Sequence, residues 1–156
     1  MEIKDCVTIK GTFLIEDRDA VTGELIRTQT IENGWPTVGW NEILKLITGA
    51  STSAFSTANT VIGAGDSSTA FNAADTDLKA ATNKTYKAVT SGFPTTPTVG
   101  TLQFSAVFNS SEGNHAWEEV VVKNTFSGVI WNRAVSSIGV KTSSLTRTVT
   151  VTLGKT

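Results

Sequence analysis

The alternation of apolar and polar positions sets the first expectation. In "CVTIKGTFLIED" (6–17) the two kinds of side chain trade places over much of the segment, and "LIRTQTIEN" (25–33) does the same. A period of two puts successive side chains on opposite faces of an extended chain, so both segments read as strands. "AVTGE" (20–24) between them reads as a turn, with Gly23 free to take positive φ. Residues 1–34 thus predict an N-terminal hairpin. The period then changes. In "TVGWNEILKLITG", Trp40, Ile43, Leu44 and Ile47 fall at i, i+3, i+4 and i+7. That spacing predicts a helix over 37–49, closed by Gly49, with the stripe and Trp40 turned into the core.

Residues 58–156 return to short strands. "NTVIGAG" and "NKTYKAVTS" (83–91) read as two of them, followed by the Pro-marked turn "GFPTTPTVG". "TLQFSAVFN" (101–109) places Leu102, Phe104, Ala106 and Phe108 on one face. "HAWEEVVVKN" and "GVIWNRAVSS" predict a hairpin around "NTFSG" (124–128). Counting back from that loop sets Lys123 opposite Val129, Val121 opposite Trp131, Glu119 opposite Arg133 and Trp117 opposite Val135. Glu119 and Arg133 then form a cross-strand ion pair beside two tryptophans. "SLTRTVTVTLG" (144–154) closes the chain with Leu145, Val149, Val151 and Leu153 in step. The expected fold is mainly β: one domain over 1–156, an antiparallel β-sandwich of seven to eight strands with one short α-helix.

Composition narrows the function more than the fold. Thirteen Lys and Arg against 14 Asp and Glu leave a net charge of −1, which supplies no general attraction to nucleic acid or anionic lipid. Only 17% of residues are charged, while about a quarter are Ser or Thr. Such a hydroxyl-rich surface suits strands. Cys6 is the single cysteine, so an intramolecular disulfide and a Cys-based metal site are both excluded, and it reads as a small buried strand residue. "MEIKDC" lacks the apolar segment of a secretory signal, and no run approaches the ~20 apolar residues that span a bilayer. Synthesis in a cytoplasm and no membrane partner are expected.

Candidate chemistry is sparse. His115, the one histidine, sits in the polar turn "SSEGNHAW" without a nucleophile-elbow motif, and reads as an exposed turn residue. Glu112, Glu118, Glu119, Asp75 and Asp77 could in principle supply a glycosidase-like carboxylate pair, but read better as surface charges or cross-strand partners. "GAGDSSTAFNAADTDL" (63–78) looks like a ligand loop and fails each test for one. It has two glycines of G-x-G-x-x-G with no βαβ unit after them, no Gly-Lys-Ser/Thr ending, and no EF-hand spacing around Asp75 and Asp77. The expected role is a structural turn. Gly63 and Gly65 let the chain turn, and "AADTDL", with Asp75 in a capped turn, drops Leu78 into the core. No cofactor and no metal are expected. Of the four tryptophans, Trp40, Trp117 and Trp131 read as packing residues. Trp35, beside Pro36 in a turn, reads as the freest, and Trp35, Pro36, Phe93 and Pro94 are the candidate interface residues.

Taken in order, these pieces resemble small β-sandwich proteins of tailed-bacteriophage virions, of the tail-fibre/collar-like or head-decoration type. The likeness rests on the opening hairpin "VTIKGTFLIEDRDAVTGELIRTQTIEN", the helix "VGWNEILKLITGA", and "VIGAGDSSTAFNAADTDL", which is similar to a "G-x-G-x-x-x-P…D-T-x-L" element. It continues in "AWEEVVVKN", "GVIWNRAV" and "VKTSSLTRTVTVTLG". Phe71 and Asn72 stand where that family often has Pro, and Glu118 doubles its acid. The resemblance implies a non-enzymatic virion part, a homo-oligomer that contacts the major capsid protein or other virion proteins and touches no nucleic acid directly. A compact chain without extended trimeric segments fits a head-decoration (cement) protein better than a tail fibre, collar or tail-tip component. A glycan-binding module is the alternative from another class.

Overall fold

The computed structural model describes residues 9–51 and 53–155, so Cys6 and the rest of the segment 6–8 predicted as strand lie outside the described residues. The described residues form eight strands and one helix: β1 (Ile9–Asp19), β2 (Leu25–Glu32), α1 (Thr37–Thr48), β3 (Thr60–Gly65), β4 (Lys84–Ala88), β5 (Thr101–Phe108), β6 (Ala116–Asn124), β7 (Ile130–Val140) and β8 (Leu145–Lys155). They make two four-stranded sheets, in the orders β2-β1-β8-β5 and β4-β3-β6-β7, with every pairing antiparallel. The fold is an antiparallel β-sandwich, as the alternation predicts.

The inward side chains of both sheets build one core. Phe13 and Ile15 of β1, Phe104, Ala106 and Phe108 of β5, and Val149, Val151 and Leu153 of β8 meet Ile62, Ala64, Val120, Val122 and Ala134 from the other sheet. Each series keeps the period of two, so one face of each strand is removed from water. The long sides are laced by hydrogen bonds between sheets. Gln29 Nε2 donates to the Ser137 carbonyl at 3.2 Å on one side, and the Thr90 amide donates to the Ser105 carbonyl at 2.7 Å on the other.

Two inward positions carry charge. Arg147 of β8 and Asp17 of β1 pair at 2.5 and 2.8 Å, fully desolvated, with the guanidinium 4.7 Å from the centre of the Trp117 ring. Arg27 adds a 3.0 Å contact to the same carboxylate. A buried ion pair needs such extra partners, because neither charge keeps its water.

Two expectations fail here. The β6–β7 register is not the one counted from the loop. Val121 faces Arg133, Glu119 faces Val135 and Trp117 faces Gly139. Irregularities fall between Val122 and Lys123 and again between Trp117 and Glu119. The first is a bulge, in which Trp131 and Asn132 together oppose Val122, and Asn132 Oδ1 accepts the Val122 amide at 3.1 Å. Lys123 already faces Ile130 rather than Val129, and the bulge adds one more place, so Val121 meets Arg133 instead of Trp131, which a count along the sequence does not reveal.

The second failure is the helix face. Gly49 ends α1 in the left-handed conformation at φ 71°, as read. The side set against β7, however, is not the apolar stripe. Gly39 lies so close to β7 that a Cβ there would come within 2.5 Å of the Trp131 carbonyl oxygen. Gly39 and Glu42 are the buried residues of the helix, with Ile43 packed against the core.

A candidate docking face beside a closed polar clamp

The excursion from β3 to β4, residues 66–83, carries the suspicious carboxylates, and every one of them is engaged. Asp66 accepts from Asn83 Nδ2 at 2.7 Å and closes the base of the excursion. Asp77 takes the Tyr86 hydroxyl at 2.6 Å, the Leu78 amide and the Lys123 ammonium. Asp75 meets Arg133 Nη1 at 2.8 Å and Lys79 Nζ at 3.0 Å, and accepts the Asn72 amide at 2.9 Å.

Arg133 is the centre. It projects from the outer face of β7 and is fully buried under the excursion. Its Nε donates to Glu119 Oε2 at 2.8 Å, Nη1 contacts Asp75 and the Ala70 carbonyl, and Nη2 contacts Glu119 and the Thr69 carbonyl. These contacts use the whole donor fork of a guanidinium. Glu119, also fully buried, accepts the Lys79 and Ala80 amides at 3.0 and 2.7 Å. The Glu119–Arg133 pair therefore exists, but as a diagonal, buried clamp rather than a directly opposed surface pair beside tryptophans. Burial pushes the Asp75 carboxyl up. The Asn72 amide, Lys79 and Arg133 outweigh that and hold it below the usual carboxylate value.

The glycines of the same stretch do not turn the chain. Gly63 and Gly65 lie inside β3. A Cβ on Gly63 would sit 2.7 Å from the Tyr86 ring, and one on Gly65 would sit 2.7 Å from Glu119 Oε1 and 2.8 Å from the Ala80 Cβ. They are glycine because the clamp presses onto the strand. Leu78 leaves the central core and joins Val121, Ile130 and Val38 in a second cluster on the outer face. Phe71 covers Gly34, whose backbone pairs with that of Arg133 at 2.9 and 3.1 Å.

The other side of α1 is different in kind. Trp40 and Leu44 are each 44% exposed and Ile47 is 76% exposed. Beside this ridge runs an apolar groove of about 410 Å³ between the helix and the ends of β5 and β8, lined by residues that include Ile43, Ile47, Leu102, Trp131 and Leu153. Two tryptophans stand at its wall, edge to face with ring centres 5.8 Å apart, and neither Trp35 Nε1 nor Trp131 Nε1 has a hydrogen-bond partner among the described residues.

This reorders the interface candidates. Trp40, read as core, is the most exposed tryptophan. Trp35, read as the freest, is half-buried against Trp131, and Pro36 is buried at the start of α1. Phe93 and Pro94 are half-buried, with Phe93 packed on the core. Trp117 and Trp131 are packing residues, as read. The α1 ridge was missed because periodicity gives a stripe without saying which way it faces. The signal that could have found it is Gly39 beside Glu42, which marks the opposite side as the one set close to backbone.

His115 is half-buried rather than exposed, with Nε2 3.2 Å from Thr85 Oγ1. Glu112 is taken by Lys87 at 2.6 Å, and Glu118 accepts from Ser137 Oγ at 3.1 Å. Among the described residues, no three His, Cys, Asp or Glu side chains gather as a metal site. No helix there is long and apolar enough to cross a membrane. No protein-family model, curated protein or solved structure matches the chain.

Proposed function

We propose that this protein is a non-enzymatic structural part that docks onto a larger assembly through the outer face of α1, and that the assembly is a tailed-phage virion, with the protein serving as a head-decoration subunit. The observation that carries the docking role is the outer face of the helix: Trp40, Leu44 and Ile47 are exposed, Trp40 and Ile47 on the wall of an apolar groove, while the buried positions are Gly39 and Glu42, with Ile43 packed on the core. A helix that only had to cover its own sandwich would turn its apolar stripe inward. Contiguous exposed apolar surface of this kind marks an interaction site. The carboxylates that a hydrolytic centre would need are committed to Arg133, Lys79, Lys123 and backbone amides.

The virion assignment rests on the resemblance of the hairpin, helix and closing-strand segments. A decoration subunit strengthens a shell because each modest contact is repeated over the lattice. The test compares particles with and without this protein. Loss of genome at a lower temperature, with this protein located on the head by electron microscopy, is the expected result. Particles of full thermal stability that fail to adsorb to cells would overturn it in favour of a tail component. Glycan binding that changes tryptophan fluorescence would favour a sugar-binding module.

A further inference from the structure

We infer that the cleft between α1 and the β6–β7 loop receives a lysine side chain of the partner assembly, whose ammonium pairs with the buried carboxylate of Glu42. The inference rests on the docking role proposed above and adds a charged contact to it.

Glu42 stands apart from its counterparts. Four carboxylates are buried among the described residues: Asp17, Glu42, Asp75 and Glu119. Asp17 holds Arg147 through both oxygens and Arg27 besides. Asp75 has Arg133, Lys79 and the Asn72 amide, and Glu119 has Arg133 and two backbone amides. Glu42 is only 4% exposed, yet among the described residues it accepts a single hydrogen bond, from Ser51 Oγ to Oε1 at 2.5 Å. Its one cationic neighbour among them is Lys45, with Nζ 3.9 Å from Oε2. That separation is too long for a hydrogen bond, and the Lys45 side chain is 58% exposed, so the pair contributes little. By the standard of the other three, Glu42 lacks a cation.

The missing charge has a way in. Glu42 lines a cleft of about 370 Å³ together with Lys45, Ser51, Ser53, Phe126 and Ser127. The apolar groove is lined from the other flank of the same helix, by Trp40, Ile43 and Ile47. A surface laid across α1 therefore covers the exposed ridge and reaches the cleft, while Lys45, largely in solvent, swings aside.

The lining selects an ammonium. Ser51 already holds Oε1, so a guanidinium would have to share that oxygen to make its two parallel bonds. An ammonium needs one carboxylate oxygen and further acceptors around it, and the serine hydroxyls of the cleft supply them. A hard metal ion would want more oxygen ligands than one carboxylate and these hydroxyls provide. Phe126, 78% exposed in the β6–β7 loop, offers its ring to the lysine stem and its charge.

The test titrates the full chain with N-acetyl-lysine methylamide up to high millimolar concentration, followed by NMR at the backbone amides of Ser51, Ser53 and Ser127. These amides should shift with the lysine probe and not with its uncharged norleucine counterpart. Glu42→Gln keeps the shape of the side chain and should weaken probe binding by about tenfold or more, the loss of one charged hydrogen bond. Its urea midpoint should not fall, because an under-compensated buried charge has been removed. Lys45→Gln removes the internal competitor and should bind the probe more tightly. No shift in the wild type, equal shifts with norleucine, or a Glu42→Gln chain with a lowered midpoint would overturn the inference, the last by marking Glu42 as structural. Co-sedimentation with assembled particles separates this contact from the docking role. Glu42→Gln should co-sediment more weakly than the wild type. If it co-sediments in full while Ile47→Glu does not, the docking face stands and the partner's lysine is refuted. If Ile47→Glu also co-sediments in full, the docking role itself fails.

Discussion

Two regions lie either side of α1 and treat their side chains in opposite ways. The Arg133 clamp is polar, closed and saturated: one guanidinium holds Asp75, Glu119 and the Thr69 and Ala70 carbonyls beneath a chain excursion. The α1 ridge is apolar and open, beside two indole N–H groups without partners among the described residues. A buried charge is tolerated only with all its partners in place, so a saturated cluster marks architecture. Apolar surface left in water is a cost that a partner would remove, and the proposed docking role rests on that open ridge. The residues that look most chemical are structural, and those that look most like core are the exposed ones.

Breaking the clamp should have the largest effect. Arg133→Met leaves Glu119 buried without its cation and Asp75 with Lys79 alone, and should cost about 3–5 kcal/mol in urea unfolding. Proteolysis within 66–83 should then precede global unfolding. Arg133→Lys should be nearly as harmful, because an ammonium cannot replace the forked contacts. Next comes the seat of the helix. Gly39→Val drives a side chain into the Trp131 carbonyl and should cost about 1–3 kcal/mol.

Acid should open the clamp without mutation. The Asp75 carboxyl titrates below its ordinary value of 3.8 in the folded chain, so the unfolded chain binds more protons between the two values. The stability it contributes is complete above 3.8 and is lost as pH falls through the lower folded value. Urea midpoints and cleavage within 66–83, followed from pH 7 down to pH 3, should begin to change only below about pH 4. An onset above pH 5 would point to a different group. The smallest effect belongs to the ridge: Leu44→Ala should cost less than about 1 kcal/mol, since the side chain is half in water. A loss of about 2–5 kcal/mol would mean that the stripe faces the core after all.

Much of this contrast could be read from the sequence, up to a definite point. Strand positions followed from alternation, since Phe104, Ala106 and Phe108 can share a face only in an extended chain. The turn at Gly23 and the end of α1 at Gly49 followed from the positive φ that glycine takes without strain. What could not be read depended on contacts distant in sequence. The extra residue at Trp131–Asn132 shifts the hairpin register without any mark in the pattern. Gly63 and Gly65 look like turn residues, and only the approach of Tyr86 and Glu119 explains them. Asp17 and Arg147 did leave a trace, since each occupies the inward phase of an otherwise apolar strand. Arg133 and Glu119 can be paired from the sequence alone, but Asp75, 58 residues from Arg133 along the chain, completes their clamp.

The most direct measurement takes the Ile47→Glu protein and determines its unfolding free energy and its co-sedimentation with assembled particles on one preparation. The account predicts an unfolding free energy within about 0.5 kcal/mol of the wild type, together with loss of co-sedimentation. Full co-sedimentation, or a fold destabilised by several kcal/mol, would contradict it.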